Sequence, residues 1–214
     1  MLELGVKLLM AYLLGTALGS LILGLFRGVD IRSMGSGNAG ATNALRTQGK
    51  LFGLLVLLID VAKGMVAVWW LPGAVLPGIG MDPGVSREWL TVACGFAAIL
   101  GHVYPVWFDF RGGKGAATVV GVVAALELRL LVPLLLSWFI VLLFSGFVGL
   151  ATMLSTVALL VAVYVLEPNN VPLLCFCAAV AAFVIYTHRG NISRMRAGTE
   201  SRVRRLWLFR SRAA

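Results

Sequence analysis

Three short segments hold most of the residues in this chain that could do chemistry. The first reads Met34-Gly-Ser-Gly-Asn-Ala-Gly-Ala-Thr-Asn43 and runs on through Ala44-Leu45-Arg46. Glycine lets a backbone approach a ligand closely, and consecutive amide N–H groups in such a loop can cradle an anion. A helix starting near Ala41 would aim its N-terminus at the same place, and Arg46 could complete a clamp. The second segment runs from Gly101 to Thr118 and contains Arg111-Gly-Gly-Lys-Gly115. Two cations, three glycines and a following helix start are the composition of a phosphate site. It is not a Walker A loop, because Phe108 and Gly115 stand where that pattern needs Gly and Ser or Thr. His102 opens this segment and could serve as a general base, although an interfacial His bonded to backbone is the simpler reading. The third segment reads Thr187-His-Arg-Gly-Asn-Ile-Ser-Arg-Met-Arg-Ala-Gly-Thr-Glu200. His188 and Asn191 are three apart, so on a helix they share a face.

The elements that must position these segments are apolar helices. The chain has 214 residues, 60% apolar and only 13% charged, with a mean hydropathy of +0.95. Soluble domains are nearer ~45–50% apolar and ~25% charged. The expected architecture is an all-α integral membrane protein of about seven transmembrane helices. The spans are expected at Leu4–Phe26, Leu51–Leu71, Trp89–Trp107, Gly115–Leu126, Leu130–Phe144, Phe147–Leu166 and Val171–Thr187. The first is read as an uncleaved span rather than a signal peptide. One membrane-embedded domain is expected over residues 1–214, with a short basic cytoplasmic tail over about 189–214.

Charge orients the chain. Net charge is +9. With seven spans and the N-terminus outside, the inner segments hold Arg27, Arg32, Arg46, Lys50, Arg111, Lys114 and the eight arginines of the tail. That satisfies the positive-inside rule and puts all three polar segments on the cytoplasmic face. Beside apolar spans, so basic a surface points to phospholipid headgroups or a phosphorylated substrate, not nucleic acid. Arg202, Arg204, Arg205, Arg210 and Arg212 read as a juxtamembrane patch on anionic lipid. Within the second span, Asp60 and Lys63 stand three apart. An isolated charge there is costly, so the two are expected to pair as structural support. Cys94, Cys175 and Cys177 read as small apolar helix residues. No clustered acids or Cys/His set indicates a metal.

In order and spacing, GSGNAGATN with Leu45-Arg46, DVAKG, GHVYPVWFDFRGGKGAAT and HRGNISRMRAGTE resemble the bacterial acyl-phosphate:glycerol-3-phosphate acyltransferase family across nearly the whole chain. The resemblance implies a small seven-helix enzyme of the bacterial inner membrane, with its active site facing the cytoplasm. It would move a fatty acyl group from acyl phosphate to position 1 of glycerol 3-phosphate, giving lysophosphatidic acid and phosphate, the first step of phospholipid synthesis. It implies that Ser36, Asn38, Arg46, Lys114, His188 and Asn191 serve glycerol 3-phosphate, with Lys114, His188 and Asn191 catalytic. Gly40, Thr42, Asn43, Gly112, Gly113 and Gly115 would hold the acyl phosphate. His102, Asp60, Lys63 and Glu200 would give support, Glu200 by bracing the third segment. The implied protein needs no metal or cofactor, contacts membrane phospholipids and works as a monomer. The chain departs from the family's pattern at Gly146-Phe-Val-Gly149, where relatives commonly have a basic residue, an aromatic and Val-Ser. The proton acceptor stays open between the donor's phosphate and a histidine, His188 or His102. A small transporter or channel for an anionic solute is the alternative from another class. It would line its spans with polar residues at mid-depth and often carry an internal repeat.

Overall fold

A computed structural model describes residues 1–203 together with Trp207 and Leu208. Arg204, Arg205, Arg210, Ser211 and Arg212 lie outside the described residues. Among the described residues ten α-helices follow one another: α1 Leu2–Gly15, α2 Gly19–Arg27, α3 Ala41–Gln48, α4 Lys50–Trp69, α5 Arg87–Val103, α6 Ala116–Leu126, α7 Leu131–Ser145, α8 Val148–Leu166, α9 Val171–Thr187 and α10 Arg189–Arg196. They form two compact units, Met1–Leu128 and Arg129–Ala214.

Four stretches are long and apolar enough to cross a membrane: Lys50–Trp69, Arg87–Phe108, Leu128–Ser145 and Val148–Leu166. The count rises to six if each bent pair, α1 with α2 and α9 with α10, is one span. Helix α6 is apolar but has only 11 residues, against ~20 for a typical full-length span. The span Leu128–Ser145 has a mean hydropathy of 2.2 with only 17% of it buried. Leu135, Leu136, Phe139, Ile140 and Phe144 lie exposed along it. An apolar helix with so little of its surface covered suits lipid as its solvent.

In the first unit, the unbroken helix expected over Leu4–Phe26 is instead two helices meeting at 44°. The break falls at Thr16–Leu18. No proline marks it. It follows directly on a close approach of α1 to α5: a Cβ on Gly15 would come to 2.1 Å from the Ala98 carbonyl oxygen. A break inside a membrane frees backbone groups that water cannot reach. Here α4 supplies the partners. Lys63 Nζ donates to the Ala17 carbonyl at 3.0 Å, and the Gly19 amide donates to Asp60 Oδ1 at 3.3 Å. Asp60 and Lys63 also pair with each other at 3.0 Å, and both are buried. The pair therefore splices the broken span while cancelling its own charge. A second buried charge, Lys7, is held by Glu3 and the Pro72 carbonyl, both at 2.8 Å. Arg87 joins the same Glu3.

In the second unit, α8 packs between α7 and α9. Arg129 and Glu167 pair at 3.2 Å. Asn170 caps α9 by accepting from the Leu173 amide at 3.1 Å. The chain bends by 51° at His188 and enters α10.

Candidate active site

The first segment is a loop tied down from within. Asn43, in the first turn of α3, is buried, and its side chain is fully engaged. Its Nδ2 donates to the carbonyls of Ile31, Met34 and Asn38 at 3.1, 2.9 and 3.1 Å, and its Oδ1 accepts from the Ser36 amide at 3.0 Å. Asn43 is thus the post around which residues 31–38 wrap, a role different from the donor contact the resemblance implied. Ser36, Thr42 and Arg46 are exposed on this scaffold, and Asn38 lies half-buried over Gly40. From below, Ser20 Oγ donates to the Ala39 carbonyl at 2.6 Å. Ile31, Ala44, Phe52 and Val56 form the apolar base under α3. Gly40 caps α3 with extended backbone. The amides of Ala41 and Thr42 then lie ahead of the first intrahelical acceptor, the Gly40 carbonyl, which is taken by Asn43 and Ala44.

Arg32 joins the first segment to the second, and sequence reasoning counted it only as a charge. Its guanidinium chelates Asp30, donating from Nη2 at 2.8 Å and from Nε at 3.1 Å, and Nη1 donates to the Phe108 carbonyl at 3.0 Å. It also lies over the Phe108 ring, 5.7 Å from its centroid. The guanidinium holds the Asp30 carboxyl below the usual carboxylate range. The one available signal was Asp-x-Arg immediately before a glycine run.

The second segment turns sharply after α5. Asp109 and Phe110 both take positive φ, 55° and 56°. That conformation is uncommon for any residue with a side chain and costs free energy that the surroundings must supply. Here the Phe110 amide donates to the Pro105 carbonyl and the Arg111 amide to the Phe108 carbonyl. The chain then runs back along the end of α5. The Gly112 amide donates to the Val103 carbonyl and the Gly113 amide to the His102 carbonyl, both at 3.1 Å. These two amides were expected to hold the donor phosphate, and they are already spent on backbone. The glycines are needed for contact instead: a Cβ at Gly112 would come to 2.1 Å from the His102 oxygen, and one at Gly113 to 2.1 Å from His102 Nε2. What lies ahead of the α6 helix is Gly115 in the left-handed region and the amides of its first turn. Lys114 is half-buried beside them.

His102 itself is 2% exposed, with Nδ1 3.5 Å from Asp60 Oδ1. The Asp60–Lys63 pair that splices the broken span therefore also stands behind the ring that carries Gly113.

In the second unit, His188 sits at the bend between α9 and α10 and is buried. Its Nδ1 lies 2.8 Å from the Val184 carbonyl. A carbonyl can only accept, so Nδ1 carries hydrogen, and in the neutral ring Nε2 is the acceptor. Asn191, one turn further, donates from Nδ2 to Glu200 Oε1 at 2.6 Å. Glu200 Oε2 accepts from Arg194 Nε, also at 2.6 Å. Gly149, in the first turn of α8, faces this amide: a Cβ there would meet Asn191 Nδ2 at 2.9 Å. With a glycine at 149, the buried Asn191 side chain lies directly against α8.

Comparison with known proteins gives the family. A family model described as glycerol-3-phosphate acyltransferase matches residues 6–198. The glycerol-3-phosphate acyltransferase of Aquifex aeolicus is 38% identical over 194 residues, covering 90% of this chain and 95% of that protein. The enzyme of the same name from Thermosynechococcus vestitus is 39% identical over 205 residues, covering 94% and 95%. Among solved structures, the chain is similar to the crystal structure of PlsY (YgiH), an integral membrane glycerol 3-phosphate acyltransferase. In its glycerol 3-phosphate form the TM-score is 0.80 at 35% identity, over 93% of this chain and 94% of that one. In its lysophosphatidic acid form the TM-score is 0.78. Glycine loops, buried support and matches over nine-tenths of the chain lead to one conclusion: this chain belongs to the glycerol-3-phosphate acyltransferase family of integral membrane enzymes.

Proposed function

We propose that the enzyme takes its acyl group from acyl phosphate and places it on position 1 of glycerol 3-phosphate, releasing lysophosphatidic acid and inorganic phosphate. The likeness to a structure in its glycerol 3-phosphate form, over 93% of this chain, carries the reading of the acceptor. A transporter is set aside by membership of an enzyme family. In the proposed reaction the acceptor hydroxyl oxygen attacks the acyl carbonyl carbon, the bond from that carbon to the bridging phosphate oxygen breaks, and phosphate leaves. An acyl phosphate is a mixed anhydride with a good leaving group, so cations and oriented N–H donors suffice to stabilise the developing charge. Arg46, Lys114, Ser36, Asn38, His188 and Asn191 are assigned to glycerol 3-phosphate. For the donor, the spent amides of Gly112 and Gly113 shift the reading to the backbone around Gly40, Thr42 and Gly115. The hydroxyl proton passes to the departing phosphate or to a histidine.

The test of this reading is a donor assay on purified protein in lipid. One phosphate is released per ester formed with acyl phosphate, and acyl-CoA and acyl-carrier protein give no turnover. Efficient use of acyl-CoA, with no acyl-phosphate-forming enzyme present, overturns the donor assignment.

The two units are proposed to work as one acyltransferase domain with seven membrane passages, the short α6 among them, the N-terminus outside and the active site facing the cytoplasm of the bacterial inner membrane. The support is the positive-inside rule: with seven passages, Arg46, Lys114 and the arginines of the tail would all fall on the inner side. Single-cysteine variants labelled from outside should react at Gly80 or Asn169 and stay unlabelled at Asn38 or Ser211. Outside labelling at Ser211 would break the seven-span arrangement.

A further inference from the structure

The chain beyond Glu200 was read from sequence as a patch of arginines on lipid. The described part of it does something else. The Arg202 guanidinium lies between two aromatic rings, 4.5 Å from the centroid of Phe147 and 4.1 Å from that of Trp207. The Val203 amide donates to the Gly146 carbonyl at 2.8 Å, and the Leu208 amide to the Leu143 carbonyl at 3.0 Å. Trp207 Nε1 donates to the Phe144 carbonyl at 3.1 Å. Helix α7 ends at these residues, so the tail supplies donors to last-turn carbonyls that have no partner of their own within the helix. Gly146, at φ 73°, makes the turn into α8, and a Cβ there would press on Arg202 Cβ and Trp207 Cγ at 3.2 Å each. Four independent contacts thus fasten residues 202–203 and 207–208 to the turn between α7 and α8.

Three residues beyond that turn stands Gly149, against Asn191. Immediately before the fastened segment stands Glu200, which holds Asn191 and Arg194. Asn191 is therefore gripped from two sides: by α8 through Gly149 and by the tail through Glu200. The fastening at Arg202 ties those two sides together. The match to the family model ends at residue 198, so the fastening lies outside the matched stretch.

We propose that Arg202 and Trp207 are positioning residues: they strap the segment after α10 to the α7–α8 turn and so set Glu200, and through it Asn191, for glycerol 3-phosphate. The proposal rests on the assignment of Asn191 to that substrate. The strap touches no substrate. Releasing it lowers the fraction of enzyme in which Asn191 is set, and the apparent affinity for the acceptor falls in proportion.

The test uses the full-length enzyme in lipid, with Arg202→Ala, Trp207→Ala, Arg202→Lys and Asn191→Ala. Arg202→Ala and Trp207→Ala should raise KM for glycerol 3-phosphate about three- to tenfold, as expected for losing stacked cation contacts. KM for the acyl donor and kcat should change little. Arg202→Lys keeps a cation between the rings and should restore most of the loss. Amide hydrogen exchange over 189–200 should accelerate in the two Ala variants and not in Arg202→Lys. Unchanged exchange and unchanged KM in the Ala variants, alongside a crippled Asn191→Ala, overturn the strap and leave the site assignment standing. Faster exchange with unchanged KM shows a strap that does not position Asn191 and likewise overturns the proposal. An Asn191→Ala enzyme with normal KM overturns the site assignment and the strap's kinetic role with it.

Discussion

Arg46→Ala, Lys114→Ala and Asn191→Ala each lower kcat/KM for glycerol 3-phosphate by at least about tenfold, with the deepest loss beyond a hundredfold. The acceptor carries close to two negative charges at neutral pH, since a phosphate monoester's second pKa is ~6. Binding it at a membrane face takes fixed cations and oriented donors. A charge-assisted hydrogen bond contributes roughly 1.5–3 kcal/mol, and each ~1.4 kcal/mol is a factor of ten in rate. A cation that merely touches headgroups contributes only about 1 kcal/mol, and its neighbours cover for it. Arg205→Ala and Arg210→Ala are the comparison: both are read as headgroup contacts, and they should change kcat/KM little. Steady-state kinetics in lipid, at matched expression and thermal stability, decide the matter. If the tail variants lose as much as the loop variants, the three residues are no clamp.

The parts of this molecule that follow from local pattern were readable in the sequence. Apolar stretches announced helices, and the glycine-rich segments announced loops at helix starts. Asp60 and Lys63 announced a pair, because two charges one turn apart in an apolar helix have no better partner than each other. What could not be read depends on groups distant in the chain. The break at Thr16–Leu18 has no proline to mark it, and it is held by Lys63 and Asp60, more than forty residues on. Asn43 looks like any polar residue of a ligand loop until its amide is found bonded to three carbonyls of its own loop. The Gly112 and Gly113 amides looked open because nothing in the sequence says that the chain doubles back on the end of α5. Arg32 and Arg202 were counted as charge, yet both act through specific geometry. One holds a carboxylate and a carbonyl of the next loop, and the other lies between two rings. Composition gives the sign of a charge and roughly where it sits in the membrane. It says nothing of what lies opposite.

Gly113→Ala should lower kcat/KM about a hundredfold, the scale expected when a catalytic group is misplaced by about 1 Å. The new Cβ would stand 2.1 Å from His102 Nε2, 2.9 Å from Cε1 and 3.0 Å from Cδ2. The ring has nowhere to retreat: it is buried, with Asp60 behind it. Nor can Gly113 lift away freely, because its amide is bonded to the His102 carbonyl. The strain falls on the loop, and Lys114 is the next residue along. A double-mutant cycle separates this crowding from any cost of the substitution that does not depend on the ring. With His102→Ala the ring is gone and the methyl fits, so His102→Ala/Gly113→Ala should be no worse than His102→Ala alone. Gly5→Ala, where a Cβ meets nothing within 4 Å, is the control and should behave as wild type. If instead the two losses multiply, the crowding does not come from the ring, and the glycine is kept for something other than room beside the imidazole.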